Sequence, residues 1–299
     1  MRKKAIITGG TGFVGSNLSR ELLRQGWEVS IIAQRKFGYK NIEDIKDKVN
    51  IFEYEGDIDQ LIYFFQNTKA NIVFHLASVI VSEHKSEEID MLIDSNLKFG
   101  AQILEAMKKS ETKLIINTGT SWQHYHSDEY NPVCLYAATK EAFEKLIEYY
   151  IAGEGIRGIT LKLFDTYGET DTRPKLINLL HKFSLEKTEL DMTPGEQVID
   201  LVHVDDVINA FIKAYEYISA NKEIQYEKFA VSSGREMRLK ELIDLYEKVS
   251  GEKVLVKWGG RSYRKREVMK LWRSFKTLPG WNCRISLEEG LQRVSCQNK

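Results

Sequence analysis

Cysteine is scarce in this chain. Cys134, Cys283 and Cys296 are the full set in 299 residues, an odd number at no close spacing, so neither a disulfide framework nor a metal knuckle is suggested. Reduced thiols in a cytoplasmic compartment are the simple expectation. Net charge is missing as well. The 43 Lys+Arg balance 43 Asp+Glu, which argues against a protein whose main business is gripping a nucleic-acid backbone but leaves room for a local basic pocket. Long hydrophobic runs are absent too. Met1-Arg2-Lys3-Lys4 leads straight into Ala5-Ile6-Ile7 and then glycines, a run too short for a signal peptide and far too short to span a bilayer. Neither a nucleic-acid nor a membrane partner is expected. What remains, 42% apolar and 29% charged residues, is the balance of a globular protein. The length fits one large α/β domain or one with a smaller companion.

The first 165 residues alternate short β-branched runs with longer amphipathic stretches. Strands are expected at 4–8, 28–33, 50–54, 71–76, 112–118 and 158–163, nearly continuously apolar as befits a sheet covered on both faces. Helices are expected at 13–25, 58–68, about 87–109 and 136–152, and this interleaving predicts right-handed crossovers and a parallel sheet. The 35–48 stretch reads as a polar loop with a turn of helix at most. After residue 165 the texture becomes mixed. Helices are expected near 173–184, 204–219 and 238–249, and strands near 188–192, 197–202, 227–231 and 253–257, followed by a charged, aromatic-containing tail.

Thr8-Gly9-Gly10-Thr11-Gly12-Phe13-Val14-Gly15 follows the first strand and opens the first helix. Gly9, Gly12 and Gly15 provide a turn without Cβ atoms where a backbone can approach a pyrophosphate at a helix N-terminus. At the end of the second strand, where an acidic residue usually holds the adenosine ribose, the sequence reads Ala33-Gln34-Arg35-Lys36. No carboxylate there repels a 2′-phosphate, and the planar fork of Arg35 suits one best, so NADP is expected over NAD. The plain alternative is two solvated cations. Tyr136 and Lys140, four apart on a helical face, can pair a phenol with an ammonium that lowers its pKa. Cys134, two residues earlier, reads as pocket wall and not as an activated nucleophile. His75 reads as a satisfied strand histidine, and no metal site is expected.

Taken in order, GGTGFVGSNL (9–18), Gly56-Asp57-Ile58, His75-Leu76-Ala77-Ser78, Asn96 with Gly100, Tyr136-Ala137-Ala138-Thr139-Lys140, Leu163 to Gly168 and His203 to Val207 carry a pattern over most of the chain. It resembles the extended short-chain dehydrogenase/reductase family, which contains nucleotide-sugar epimerases, dehydratases and 4-ketoreductases. The resemblance implies an α/β fold. A Rossmann-type doubly wound parallel sheet over 1–165 would carry the catalytic residues. A smaller mixed lobe over 166–299 would hold the substrate, with part of 200–235 returning to the first domain.

The resemblance also implies roles. Thr11, Phe13 and Val14 of the glycine turn, Leu76, Ala77 and Ser78, Asp57 and Ile58 beside the adenine, and Asn96 near the active site would serve the cofactor, together with Tyr136 and Lys140. On physical grounds alone Asp57 could be no more than a helix N-cap. Thr118 takes the place of the catalytic hydroxyl, with Thr120 and Ser121 as fallbacks on the substrate side. Arg264 matches an arginine that reaches the substrate pyrophosphate, helped by Arg173, Lys175 and Gln197, while Ile199 stands where many relatives carry a second arginine. Relatives also dimerise by packing the helices near 87–109 and 136–152 into a four-helix bundle, although their apolar residues could all serve the subunit's own core.

Sugar 4,6-dehydratases carry an Asp-Glu pair after the threonine, and this chain has Gly119-Thr120. The short gap from Thr118 to Tyr136 and the PGEQ stretch are most like nucleotide-sugar 4-ketoreductases of the CDP-abequose and CDP-paratose synthase kind. The expectation is therefore NADPH-dependent reduction of a 4-keto-6-deoxy nucleotide sugar for surface polysaccharide. A nucleotide-sugar epimerase with tightly bound cofactor is the alternative, and a non-catalytic NADP sensor the third reading.

Overall fold

A computed structural model describes residues 2–296. Its strands and helices follow the hydrophobic periods of the sequence closely. In chain order they are β1 (Lys4–Thr8), α1 (Phe13–Arg24), β2 (Glu28–Ala33), β3 (Asn50–Glu53), α2 (Ile58–Thr68), β4 (Ile72–His75), α3 (Ile89–Ile93), α4 (Phe99–Lys108), β5 (Leu114–Thr120), α5 (Leu135–Glu154) and β6 (Arg157–Leu163). Then come β7 (Asp165–Tyr167), α6 (Leu176–Glu186), β8 (Leu190–Met192), β9 (Val198–His203), α7 (Val204–Ala220), β10 (Tyr226–Val231), β11 (Glu236–Arg238), α8 (Leu239–Ser250), β12 (Val256–Trp258) and α9 (Leu287–Cys296).

Seven strands form one parallel sheet in the order β10-β6-β5-β4-β1-β2-β3. The chain moves outward from β1 through β2 to β3 and then restarts at β4 on the other side of β1, so the order reverses between β1 and β4. A crevice opens at such a switch, outside the carboxyl ends of the strands. Register brings Thr8 beside His75 and His75 beside Asn117, which aligns those ends along one edge. One face packs its apolar residues under α1 and α7, with Ile7, Ile31, Phe74, Leu161 and Phe211 fully enclosed. The other packs under α2, α4 and α5 through Ile6, Val73, Ile115, Phe143 and Ile147. β10 pairs with β6 in this sheet although it lies beyond residue 165. A third core, around Leu180, Leu242, Tyr246 and Leu291, joins α6, α8 and α9 with the small sheets β11-β9-β7 and β12-β8.

Five stretches differ from the sequence expectation. The 35–48 loop is two 3-10 segments, 35–37 and 40–48, because Ile42 and Ile45 are buried against the first core and Arg20 grips Asp44 at 2.6 Å. The helix expected over 87–109 contains a π-helical segment, Asp94–Lys98, between α3 and α4. Such widened turns re-aim a side chain, and here Asn96 is the buried residue of the segment. The three-residue strands β7 and β11 escape the sequence reading because pairing with β9 defines them. Within the described residues the tail contains α9, whose Leu287, Leu291 and Val294 recur at helical spacing and are buried.

Candidate active site

A cavity of about 870 Å³ opens at the carboxyl ends of β1, β4, β5 and β6 and is closed on its other side by the lobe. From the sheet side, Gly9, Gly12, Phe13, Val14, Gly15, Leu76, Ser78, Thr118, Thr120, Ser121, Tyr136 and Lys140 line it. From the lobe side come Arg173, Lys175, Gln197 and Arg264. Thr11, Arg35, Lys36, Asp57, Ile58, Ala77 and Asn96 are not among its lining residues.

The glycine turn is built by backbone contact. Gly9 has φ +70°, and a Cβ there would lie 2.7 Å from the Ala77 nitrogen. A Cβ on Gly15 would lie 2.2 Å from the Gly9 carbonyl oxygen. Only hydrogen fits at either place. Gly12 caps α1 without a side-chain hydrogen bond, and the first turn holds no acidic residue. The positive end of the helix is thus left for an anion, so the cradle fits the pyrophosphate of a dinucleotide. At the end of β2, Arg35 and Lys36 are exposed. Glu53, unremarked in the sequence, stands beside Ala33 on the neighbouring strand and accepts a hydrogen bond from the Tyr39 hydroxyl.

Two residues assigned to the cofactor have other work. Asp57 caps α2, its carboxylate accepting from the main chain of Asp59 at 2.9 Å and Gln60 at 3.2 Å, so the N-cap alternative is what the geometry shows. Asn96 is buried, and its amide is fully used. The oxygen accepts from the Val79 main chain at 2.8 Å and the Ser78 hydroxyl at 3.1 Å. The nitrogen donates to the Val79 carbonyl and to Thr139, both at 3.0 Å. It pins the segment after β4 to α5.

Tyr136 and Lys140 sit on the buried face of the first turns of α5. The sequence expectation was a phenol lowered by Lys140; the structure gives the opposite direction. Burial pushes the Tyr136 phenol well above 10, with Cys134 and Asp165 pushing the same way and the hydroxyls of Thr120 and Ser78 opposing. Lys140 is itself pulled down to about 8 by burial, against the carboxylate of Glu144. Beneath it His75 bonds the Thr8 hydroxyl at 2.9 Å, and burial together with Lys140 holds its imidazole down at about 3, neutral. The three candidate hydroxyls also separate. Thr118 lines the cavity, but its hydroxyl oxygen is enclosed without a partner. Thr120 is the threonine whose hydroxyl acts on Tyr136. Strand alternation puts both on one face, about 6.6 Å apart along the strand.

On the lobe side the two expected arginines arrive already paired. Arg264 holds Glu267 at 2.6 Å and lies 5.0 Å over the Trp122 ring. Arg173 bonds Asp171 at 2.7 Å and lies 4.8 Å over the Phe13 ring. Gln197 donates to Thr193 at 2.7 Å. Asp165, which sequence reasoning missed, lines the same cavity. Its side chain is open to the cavity, and desolvation by the surrounding protein, with Asp200 adding to it, pushes its carboxyl above the ordinary range against the pull of Lys175, Arg264 and Arg173. Trp122 and Arg261 also line the cavity unforeseen. Gln123 had a readable signal, the spacing Thr-x-x-Gln of a capping box, which the turn 121–123 forms.

The profile of the NAD dependent epimerase/dehydratase family matches residues 5–227. A curated relative from Yersinia pseudotuberculosis, CDP-abequose synthase, is 27% identical over 89% of this chain and 90% of its own length. UDP-glucuronate 4-epimerase of Thermodesulfobacterium geofontis is 25% identical over 97% of this chain and 94% of its own. Among solved structures, UDP-glucuronic acid 4-epimerase from Bacillus cereus, in complex with UDP-glucuronic acid and NAD, superposes with a TM-score of 0.86 at 22% identity, covering 98% of each chain. At that identity the likeness concerns the fold. No helix among the described residues is long and apolar enough to cross a membrane.

Proposed function

This chain belongs to the NAD dependent epimerase/dehydratase family, and from that premise we propose that it is an NADPH-dependent 4-ketoreductase. Its substrate would be a nucleotide-linked 4-keto-6-deoxy or 3,6-dideoxy sugar. The observation that carries the reading is the make-up of the wall over Tyr136. From Thr118 to Gln123 it offers hydroxyls, a glycine, an indole and an amide, and no carboxylate. Removing water across C5 and C6 requires an acid and a base over the sugar, and this wall has neither. Reducing a carbonyl requires one proton donor, and a phenol kept protonated by burial is suited to that task. The CDP-abequose synthase relative supports a nucleotide-sugar substrate.

The reduced nicotinamide, when bound, supplies the hydride. Gly9, Gly12 and Gly15 would hold its pyrophosphate, and Arg35 with Lys36 its 2′-phosphate, no acidic residue standing between Ala33 and Lys36. Tyr136 donates its proton to the oxygen of the carbonyl being reduced. The Thr120 hydroxyl steadies that oxygen as charge develops, with Thr118 and Ser121 beside it on the same wall. Lys140 keeps a positive charge next to the phenolate that forms. Arg264, Arg173, Lys175 and Gln197 would meet the nucleotide diphosphate, with Arg264 and Arg173 exchanging Glu267 and Asp171 for phosphate oxygens. Asp57 and Ile58 would border the adenine, and Met91, 42% exposed on α3, and Tyr149, 66% exposed on α5, are available for a homodimer bundle.

The second reading, an epimerase, draws on the UDP-glucuronate 4-epimerase relative. Mass spectrometry after incubation with NADPH and a panel of 4-keto-6-deoxy nucleotide sugars separates the two. A reductase adds two mass units with stoichiometric NADPH loss. In a separate incubation with the nucleotide-linked hexose, an unchanged mass with altered stereochemistry at C4 and no net cofactor loss assigns the chain to the epimerases.

A further inference from the structure

Behind Lys140 lies a buried cluster of charges that the reaction itself does not touch. Gln123, Glu144 and Lys162 are enclosed, at 0%, 0% and 4% exposure. The Gln123 amide nitrogen donates to Glu141 at 2.6 Å and to Glu144 at 2.7 Å, while its oxygen accepts from the Thr120 main chain at 2.9 Å. Lys162 from β6 stands 3.8 Å from Glu144 and 3.7 Å from Glu141, and Lys228 from β10 stands 2.8 Å from Glu144. Lys162 also meets the Nε2 atom of His124 at 2.8 Å. That ring nitrogen must accept from the ammonium, so the imidazole is neutral there.

Lys140 and Glu144 are four apart on one buried helix face, and at that spacing side chains are neighbours. The groups around them are His75 from β4, His124 from the turn, Lys162 from β6, and Lys228 and Tyr226 from β10. Tyr136, Glu141 and Glu148 belong to α5 itself. Glu144, one helical turn on from Lys140, opposes the burial that disfavours the ammonium. Enclosing the charges of Glu144 and Lys162 costs desolvation that packing alone does not explain.

We propose that Glu144 and Gln123 are positioning residues: the Glu144 carboxylate holds the charge on Lys140, and Gln123 ties that carboxylate to the main chain of Thr120. The strand end carrying the hydroxyls and the helix carrying Tyr136 are thereby fixed to one another. Rotation of the Gln123 amide would set its oxygen against two carboxylates, so the orientation is locked. The kinetic part of this inference rests on the reductase reading; the titration part does not.

The test is an NMR titration of ¹³C-labelled lysine in the full chain, with the Lys140 signal assigned by its loss in Lys140→Met. In Glu144→Gln the Lys140 midpoint is expected to fall by on the order of one pH unit, and in Glu144→Asp to return towards the wild type. In Lys228→Met, which frees Glu144 from a competing cation, the midpoint moves upward. This opposite sign keeps the test decisive if Glu144→Gln does not fold. Unmoved midpoints in the folded variants overturn the charge assignment. In a ketosugar assay, the alkaline limb of kcat/KM should shift to lower pH in Glu144→Gln, because the ammonium is lost earlier as pH rises. Gln123→Met should lower kcat on the order of tenfold or more with KM little changed, and unaltered kcat in a folded Gln123→Met overturns the tie to Thr120. A wild type inactive on every ketosugar overturns the reductase reading and leaves the titration to decide the charge assignment by itself.

Discussion

The glycine turn of 9–15 and the wall made by Thr118 to Trp122, Tyr136 and Lys140 face the same cavity, yet they are held by different means. In the first segment the close contacts are backbone on backbone: Gly15 against the Gly9 carbonyl, Gly9 against Ala77. In the second they are buried side chains bonded to one another, from Thr120 through Gln123 to Glu144 and Lys162. A backbone cradle tolerates no added atom, but its charge comes from the helix end and depends on no side chain. A side-chain wall tolerates small changes of shape, but each polar group left unpaired in it is costly. Substitutions in the wall should therefore change rate with cofactor binding intact, and substitutions in the cradle should change binding and stability together.

The largest effect expected is at Tyr136. Tyr136→Phe should lower the chemical rate by roughly 10²–10⁴, with the NADPH dissociation constant nearly unchanged by fluorescence titration. Turnover close to wild type would mean that another group supplies the proton. The two threonines sharpen the comparison within the wall. Thr120→Val should lower kcat by about 10²–10³, the weight of a lost oxyanion donor. Thr118→Val removes an enclosed hydroxyl that has no partner and should leave stability unchanged or raise it by up to ~1 kcal/mol. If the kinetic penalties come out reversed, Thr118 is the hydroxyl that meets substrate.

In the cradle, Gly15→Ala places a methyl against an immovable carbonyl and should destabilise the protein by about 2–3 kcal/mol, seen as a lower thermal midpoint with NADPH binding lost. Retained binding would show that the turn can open. Arg35→Ala should cost about tenfold in NADPH affinity, roughly 1.4 kcal/mol, and leave NADH binding alone; equal affinities of the wild type for both cofactors would remove the 2′-phosphate assignment. The smallest effect belongs to Asp57→Ala, about 1 kcal/mol of stability for a lost helix cap. A marked drop in NADPH affinity there would return Asp57 to the cofactor.

The sequence was enough for the cradle and the sheet. Strand β2 and helix α2 begin and end where their apolar periods do, and GxxGxxG names its turn because only hydrogen fits there, a constraint written in residue type alone. Tyr136 and Lys140 were legible by helical spacing for the same reason. The ionisation of Tyr136 was not, because besides the adjacent Cys134 it depends on burial and on Asp165, Thr120 and Ser78, groups from three segments that meet only after folding. Nor could spacing show that Asn96 is spent on Val79 and Thr139. Local pattern fixes which atoms can form a turn or share a helix face. The charge a group carries, and which of two neighbouring hydroxyls reaches it, depends on distances and dielectric set by distant parts of the chain, and those exist only in the folded structure.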